Sequence, residues 1–335
     1  MSWKVLITAS AIGETGQPAL ERLRQAGCEI SLARKFGPLT ASEVQPLLAG
    51  MDAVLASLDQ YSAAVLGSPE AGRLKIISRW GVGFDAIDLA AATERGIVVT
   101  STPGMVDEAV ADYTFALLLA LARRVPEGHV AMRGGAWRVA WGDDVSGKTL
   151  GILGCGRIGR AVARRASGFA MRRLGCDCVP TPEAEAFGIR RVSLDELLAE
   201  SDFLSIHAAL TPQSRGLIGA TELRKMKPTA RLINTARGAL VDEAALLRAL
   251  QEGWIAGAAL DVYATEPLPA DHPLRAAPNL LLSPHQASFT RETGARVSLA
   301  AAQAIVDLIE GRRPEHVLNG EVFHSPHLRV PLAYG

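Results

Sequence analysis

Residues 149–159 read TLGILGCGRIG, in which an apolar run is followed at once by three glycines, Gly154, Gly156 and Gly159, in the spacing GxGxxG. The residues that follow have the periodicity of a helix, as far as about Ser167. The first glycine permits a tight turn, the second lets the backbone approach a diphosphate, and the third allows the helix to pack closely on the strand. The stretch therefore predicts a strand, a turn and a helix whose N-terminal amides face a dinucleotide, which is a Rossmann motif.

An acidic residue, Asp177, closes the next predicted strand, about 20 residues after the last glycine of the motif. A carboxylate at this position accepts the two ribose hydroxyls of NAD and repels the 2′-phosphate of NADP. Arg172 and Arg173 lie nearby and leave the use of NADP open, but Cys178 rather than a basic residue follows the acid. NAD is therefore the cofactor that the sequence favours.

Strands and helices alternate on both sides of this motif, and 335 residues exceed what one hydrophobic core usually organises. This pattern predicts an α/β fold of two domains, each with a parallel sheet covered on both faces. Upstream, the strand candidates are Val5–Thr8, Glu29–Ala33, Asp52–Ala56, Lys75–Ser78 and Ile97–Thr100. From the motif onward they are Leu150–Leu153, Met171–Asp177, Phe203–His207, Arg231–Thr235, Ala258–Val262 and Leu280–Ser283.

Between the two series, Asp107–Arg124 has the pattern of a helix that is apolar on more than one side. Such a helix must be covered nearly all round, by a second domain or a second subunit. The next stretch, 125–147, has weak periodicity and is expected to form a partly looped arm. A last helix, capped by Thr290, is predicted to end near Glu310.

Charge and composition exclude several classes of protein. The 35 basic and 35 acidic residues balance and are not segregated, so a large basic face for nucleic acid is not expected. No apolar run approaches the roughly 20 residues that span a bilayer. The stretch Lys4–Ile12 fits a buried strand better than an export signal. The four cysteines have no metal-ligand spacing, which predicts no metal site and free thiols in a reducing cytoplasm.

Three polar residues, Arg237, Glu266 and His285, each follow a predicted strand of the second series. Parallel sheets bind their ligands outside the carboxyl ends of the strands. Removing hydride from an alcohol needs a base for the hydroxyl proton, and histidine suits this at neutral pH. Glu266 would hold the imidazole of His285 and favour its protonated form. Arg237 could bind a substrate carboxylate or polarise the C2 oxygen.

Several long blocks of sequence resemble the signature motifs of the D-isomer-specific 2-hydroxyacid dehydrogenases, and within that family the short forms described as phosphoglycerate dehydrogenase. The resemblance runs through nearly the whole chain. The blocks are Ser78–Asp85 (SRWGVGFD), Gly147–Gly154 (GKTLGILG), Asn234–Glu243 (NTARGALVDE), Gly257–Leu268 (GAALDVYATEPL) and Ser283–His285 (SPH).

The resemblance implies an enzyme that transfers hydride between NAD(H) and C2 of a small 2-hydroxy or 2-keto acid. It implies His285 as the acid/base, Glu266 as its partner and Arg237 as the substrate anchor. The implied substrate-binding residues are Arg79, Val82, Gly83, Arg237 and His285. The implied NAD-contacting residues are Gly154, Gly156, Arg157, Ile158, Gly159, Asp177, Ala208, Thr235, Ala236, Arg237, Asp261, His285, Ala287 and Ser288.

The family layout implies a flavodoxin-like substrate domain, residues 1–100 with 288–335, into which a Rossmann-like NAD-binding domain, 101–287, is inserted. It also implies a homodimer, with the leading helix of the cofactor domain and the arm in the interface.

Departures from the family pattern leave the substrate open. Val106 stands where an asparagine is common, Gln286 follows the histidine where an apolar residue or glycine is usual, and Ala208–Ala209 replace a frequent Thr-Pro. The segment 56–59 (ASLD) lacks the arginine that helps to hold phosphate in longer phosphoglycerate enzymes. Glyoxylate or hydroxypyruvate reductase, D-lactate-type dehydrogenase and phosphonate dehydrogenase therefore stay as alternatives. An NAD-sensing interaction protein, like the corepressors that share this fold, is the alternative outside enzymes.

Overall fold

Two parallel β-sheets organise the chain, of which the structure, a computed structural model, describes residues 2–331. One unit comprises the chain up to Val106 and again from Phe289, and the other spans Asp107–Ser288. Within residues 2–331 the sheets have five and seven strands, and the paired strands run parallel. The predicted α/β class with two parallel sheets is confirmed. The predicted limits of the two functional domains stay a prediction.

The first unit contains β1 (Lys4–Ile7), α1 (Ile12–Thr15), α2 (Gln17–Gln25), β2 (Glu29–Leu32), α3 (Ala41–Val44), β3 (Ala53–Ala56), α4 (Ala63–Leu66), β4 (Ile76–Arg79), α5 (Leu89–Glu94) and β5 (Val98–Thr100). Its short 3₁₀ helices are Gln45–Leu48, Pro69–Arg73 and Gly320–His324. The strand order is β2-β1-β3-β4-β5, the flavodoxin-like order. Strands β3 and β4 are buried along their whole length, as strands of a sheet covered on both faces must be.

The second unit begins with α6 (Asp107–Arg123) and α7 (Val125–Arg133). It continues with β6 (Thr149–Leu153), α8 (Arg157–Ser167), β7 (Arg172–Cys176), β8 (Ile189–Arg191), α9 (Leu194–Glu200), β9 (Phe203–Ile206), α10 (Ala220–Lys225), β10 (Arg231–Asn234), α11 (Glu243–Glu252), β11 (Gly257–Leu260) and β12 (Leu280–Leu282). Its 3₁₀ helices are Pro182–Phe187, Gly238–Leu240 and Pro273–Ala276.

The strands of the second unit stand in the order β12-β11-β10-β9-β6-β7-β8. Successive residues of a strand point to opposite faces, so Leu232 and Ile233 of β10 belong to different hydrophobic clusters. The direction of the strand order reverses between β6 and β9, where an open parallel sheet places its ligand crevice. The glycine motif predicted from the sequence therefore lies beside this switch point.

The chain returns to the first unit as α12 (Arg291–Ile309), which Thr290 caps by accepting a hydrogen bond from the Thr293 amide. Its buried face covers the five-stranded sheet, and the Ser78 hydroxyl donates to the carbonyl of Ala301 at 2.8 Å. Beyond the helix, the side chain of the buried Asn319 bonds to the backbone of β5 and of the residue before it. The unit is thus completed by the last part of the chain.

Two sequence predictions were wrong in detail, and a third was incomplete. Ile189–Arg191 forms an additional strand, β8, which the pattern missed because only Ile189 of its three residues is buried. The arm that was predicted to be partly looped, 125–147, begins with a regular helix, Val125–Arg133, none of whose side chains is buried. Strand β7 ends at Cys176, so Asp177 lies just beyond the strand and Cys178 is exposed in the turn that follows. No helix among residues 2–331 has the length and apolarity to cross a bilayer.

Candidate active site

The glycine motif forms a close turn between β6 and α8. Gly154 has φ of +95°, and a Cβ atom there would lie 2.5 Å from the amide nitrogen of Ala208. A Cβ at Gly159 would lie 2.2 Å from the carbonyl oxygen of Gly154. Only a residue without a side chain therefore lets the helix pack this closely on the turn. Gly156 caps α8 without a side chain, and apart from its chain neighbours no atom of residues 2–331 lies within 4 Å of where its Cβ would be. The turn therefore leaves space over the helix N-terminus, which fits the diphosphate of a dinucleotide.

Asp177 lies at the edge of this turn. One carboxylate oxygen accepts a hydrogen bond from the Cys155 amide at 2.7 Å, and the other accepts from the Val179 amide at 3.1 Å. A carboxylate has about four acceptor positions, so both oxygens can still accept ribose hydroxyls. The guanidinium of Arg191 donates to the carbonyl of Asp177 at 3.3 Å. A cation thus stands beside the acid that is predicted to reject the phosphate of NADP.

This arrangement gives a prediction about the choice of cofactor. Replacing Asp177 with alanine should raise kcat/KM for NADPH relative to NADH by roughly 10- to 100-fold, because one repulsive charge is removed while Arg191 remains. The ratio is measured with both cofactors at a fixed keto acid concentration. Glu185→Ala, which removes an exposed acid from the nearby 3₁₀ helix, should leave the ratio unchanged. An unchanged ratio in Asp177→Ala would show that Asp177 does not discriminate between the cofactors.

His207 follows β9 and has one buried ring nitrogen without a partner among the described residues. Its Nε2 lies 2.7 Å from the hydroxyl of Ser205, whereas its Nδ1 is inaccessible to solvent and has no hydrogen-bond partner within residues 2–331. Burial lowers the pKa of His207 to about 3, so the imidazole is neutral at pH 7. An unpaired buried nitrogen is costly, because the group has lost its bond to water and gained no partner in return.

The lowered pKa of His207 makes stability depend on pH. The unfolded chain binds a proton near pH 6.5 and the folded chain only near pH 3, so the free energy of unfolding falls as pH drops through this interval. Between pH 7 and pH 5 the loss from this group is about 2 kcal/mol. His207→Gln should remove that part of the loss, as measured by urea unfolding at both pH values. The exposed His324, replaced by glutamine, is the control and should retain the parent's pH dependence.

Arg237 lies in the turn after β10, and the Asn234 side chain shapes this turn. Asn234 donates to the carbonyl of Arg237 at 2.9 Å and accepts from the amide of Ala236 at 3.0 Å. The next residue, Gly238, packs so closely on the following loop that a Cβ would lie 1.9 Å from the carbonyl carbon of Tyr263. The turn that carries Arg237 is therefore fixed against the loop that leads to Glu266.

His285 and Glu266 form a hydrogen-bonded pair, with Nδ1 of the imidazole 2.7 Å from Oε2 of the carboxylate. The other carboxylate oxygen accepts from the amide of Tyr263 at 2.9 Å. The Tyr263 hydroxyl donates to the carbonyl of Ser283 at 2.9 Å, and burial raises its pKa to about 12, so it remains a donor. Because Nδ1 is occupied by the carboxylate, Nε2 is the nitrogen left to exchange a proton with a substrate.

Asp261, directly after β11, supports the loop that carries the histidine. Its fully buried carboxylate accepts hydrogen bonds from the hydroxyl of Ser283 at 2.7 Å, the amide of Gln286 at 2.9 Å and the amide of Ala287 at 2.8 Å. Burial raises the pKa of Asp261 above its ordinary value. The side chain is thus engaged inside the unit, and its predicted contact with NAD stays a prediction.

The other predicted residues lie at the expected edges of their own units. Arg157 and Ile158 open α8, Ala208 follows β9, and Thr235 follows β10. In the first unit, the buried Arg79 ends β4 and donates to the carbonyl of Gly83 at 2.9 Å. No sequence pattern indicated the supporting roles of Asn234, Tyr263 and His207. No group of three or more acidic, histidine or cysteine side chains within 2–331 could hold a metal ion.

Comparison with known proteins places this chain in a family. The sequence model described as "D-isomer specific 2-hydroxyacid dehydrogenase, NAD binding domain" matches residues 115–287. A glyoxylate reductase of Korarchaeum cryptofilum is 45% identical over 88% of this chain and 90% of its own length. Rat D-3-phosphoglycerate dehydrogenase is 38% identical over 82% of this chain but only 52% of its own length.

The fold of this chain also agrees with that of a solved structure. The crystal structure of the TT0316 protein from Thermus thermophilus superposes with a TM-score of 0.85 at 43% identity, covering 94% of this chain and 99% of that one. The chain therefore belongs to the D-isomer-specific 2-hydroxyacid dehydrogenases, NAD-dependent oxidoreductases that act on the CH–OH group of 2-hydroxy acids.

Proposed function

We propose that this protein is a glyoxylate or hydroxypyruvate reductase, which uses NADH to reduce a small 2-keto acid without a phosphate group. The observation that carries the proposal is the difference between the relatives. The glyoxylate reductase of Korarchaeum cryptofilum is more similar and matches over nearly its whole length, whereas the rat phosphoglycerate enzyme matches over about half. Ser57 also stands near the position where an arginine would help to hold phosphate.

The chemistry follows from the three side chains of the second unit. Bound NADH supplies the hydride that is added to C2 of the keto acid. Arg237 binds the keto acid through paired N–H groups and polarises its C2 carbonyl, which draws electron density from C2 towards the oxygen. His285, protonated and held by Glu266, donates its Nε2 proton to that oxygen as the hydroxyl forms. The neutral imidazole then regains a proton from solvent, and the carboxylate keeps the ring in the same orientation.

Other residues are proposed to bind the cofactor and the substrate. The turn from Gly154 to Gly159 and the first amides of α8 receive the diphosphate, and Asp177 accepts the ribose hydroxyls. Arg79, Val82 and Gly83 of the first unit are proposed to bind the substrate, on the strength of the motif that they share with the family. We also propose that the protein acts in the cytoplasm, where its unpaired cysteines remain reduced.

The test is a comparison of keto acids by the rate of NADH oxidation. Glyoxylate, hydroxypyruvate, pyruvate and 3-phosphohydroxypyruvate are each assayed with purified protein. Glyoxylate or hydroxypyruvate should give the highest kcat/KM, at least about tenfold above the phosphorylated acid. A preference for 3-phosphohydroxypyruvate would overturn the proposal in favour of a phosphoglycerate dehydrogenase. NAD reduction with phosphonate in place of a hydroxy acid would indicate the phosphonate enzyme instead.

We further propose that two copies associate through the arm. Its large apolar side chains are exposed, with Trp137 and Trp141 at 87% and 89% accessibility. Trp141, with Val130 of α7 and Leu280 and Leu281 of β12, borders a groove of about 770 Å³. Exposed apolar patches of this kind mark protein interfaces.

The test is the mass in solution, measured by light scattering. The parent protein should give twice the chain mass, and the double variant Trp137→Glu with Trp141→Glu should give the single-chain mass. A parent protein of single-chain mass would refute the dimer.

A further inference from the structure

Two consecutive residues of helix α6, Tyr113 and Thr114, each bond to a different loop of the proposed active site. The amide nitrogen of the Gln286 side chain donates to the Tyr113 hydroxyl at 2.6 Å. The hydroxyls of Thr114 and Thr235 lie 3.0 Å apart. Gln286 directly follows His285, and Thr235 lies two residues before Arg237. One turn of one helix is therefore tied to both loops that carry the proposed catalytic side chains.

The loop of His285 needs such support because its backbone is strained. His285 has φ of +50°, in the left-handed region that residues with a Cβ rarely adopt. A conformation of this kind persists only where the surroundings over-determine it. The main chain is held from one side by Asp261, as described above. The Gln286 side chain adds a bond to a second element, α6, at a position where the family usually has an apolar residue or glycine.

The contact to the other loop has a defined direction. Thr114 is fully buried and its hydroxyl donates to the carbonyl of Val110 at 2.8 Å, so its oxygen accepts the proton of the Thr235 hydroxyl. Asn234 already fixes the turn after Thr235 from within. The bond to Thr114 adds a fixed point outside the turn. Thr235, two residues before Arg237, is thereby bonded to α6.

Helix α6 is itself anchored to the helix that begins at the glycine motif. Arg165 of α8 bonds to Asp112 at 2.6 Å and to Glu108 at 2.9 Å. Arg157, the first residue of α8, bonds to Asp107 at 3.1 Å. These exposed ion pairs contribute little stability singly, but as a network they fix the register of the two helices. The part of α6 that contains Tyr113 and Thr114 is therefore fixed relative to the glycine turn.

We propose that Tyr113 and Thr114 are positioning residues, which set the spacing of His285 and Arg237 through Gln286 and Thr235. This inference rests on the proposed function, because it assumes that these two loops carry the chemistry. Neither residue is required to touch the substrate. Tyr113 acts on the proton donor and Thr114 on the substrate anchor, so loss of each contact should have a different kinetic signature.

The experiment measures kcat, KM for glyoxylate and the number of NADH-binding sites in Tyr113→Phe, Gln286→Met and Thr114→Val. Rates are expressed per NADH-binding site, so that misfolded protein does not count. Tyr113→Phe and Gln286→Met should each lower kcat roughly tenfold with KM unchanged, because a small displacement of a proton donor slows the chemical step. Thr114→Val should mainly raise KM, and Thr114→Ser, which keeps the hydroxyl, should restore it.

Combining the substitutions tests the mechanism of the effect. Tyr113→Phe with Gln286→Met should lose no more activity than either alone, because both remove the same hydrogen bond. Multiplied losses in the double variant, or single variants within twofold of the parent in kcat and KM, would overturn the proposal.

If the parent protein reduces none of the keto acids, the proposed function fails instead. In that case Tyr113→Phe should still loosen the His285 loop, and amide hydrogen exchange in residues 283–288 should be faster than in the parent. Unchanged exchange would refute the positioning role of Tyr113.

Discussion

His285→Ala should lower kcat for reduction of the preferred keto acid by about a thousandfold, while the dissociation constant for NADH changes less than about threefold. The imidazole is the group proposed to donate a proton in the transition state, and a positioned acid contributes about 10²- to 10⁴-fold to such a reaction. The glycine turn and Asp177, which are proposed to hold most of the cofactor, are not altered. Steady-state kinetics and titration of NADH by fluorescence measure the two quantities separately.

The chain offers a matched control for this variant. His272 also pairs with a glutamate, Glu243, at 3.5 Å, and its side chain is 26% exposed, against 27% for His285. His272→Ala should therefore reproduce any general effect of losing a histidine–glutamate pair, without loss of turnover. If His285→Ala retains more than about a tenth of the parent's kcat, the residue is not the acid/base.

Gly238→Ala should reduce kcat/KM by about 100-fold or more and lower the free energy of unfolding by about 1–3 kcal/mol. The added methyl group would lie 1.9 Å from the carbonyl carbon of Tyr263, so backbone must move on one side or the other. Movement of Tyr263 displaces the amide that holds Glu266, and movement of Gly238 displaces Arg237. Kinetics and urea unfolding of the same preparation measure both effects.

Gly168→Ala is the control for that prediction, because it adds a methyl group to the same unit without a clash. The nearest atom to the new Cβ would be the carbonyl oxygen of Arg165 at 3.4 Å, and the backbone is already α-helical there. This variant should keep the parent's activity and stability. Equal behaviour of the two alanine variants would mean that the contact between Gly238 and Tyr263 does not organise the site.

The sequence predicted those parts of the protein that depend on local pattern. The glycine motif, the strand before it and the acid after it follow from backbone requirements that only certain residues meet, so residues 149–177 were interpretable without a structure. Arg237, Glu266 and His285 were found because strand ends are visible in the pattern, and the edge of a parallel sheet is where its ligands bind. The pairing of His285 with Glu266 is present in the structure at 2.7 Å.

What the sequence could not predict depends on contacts between distant residues. Tyr113 and Gln286 are 173 positions apart, and nothing in either segment indicates that they meet. The left-handed backbone of His285 is likewise invisible in the sequence, since the residue is not a glycine and its loop is held by bonds to distant residues, Asp261 among them. Strand β8 was missed because an edge strand with one buried residue has no alternation to detect. Helix α7 was missed because its apolar side chains face outward.

The order of synthesis does not match the order of assembly in this chain. The five strands of the first unit leave the ribosome early, but the helix that covers one face of their sheet, Arg291–Ile309, is made only after the whole second unit. The second unit, by contrast, is continuous and can fold as soon as Ser288 has emerged. The nascent first unit must therefore expose an uncovered sheet while the second unit matures. A chain truncated before Arg291 should accordingly be a client for chaperones and should aggregate, even though its second unit is intact.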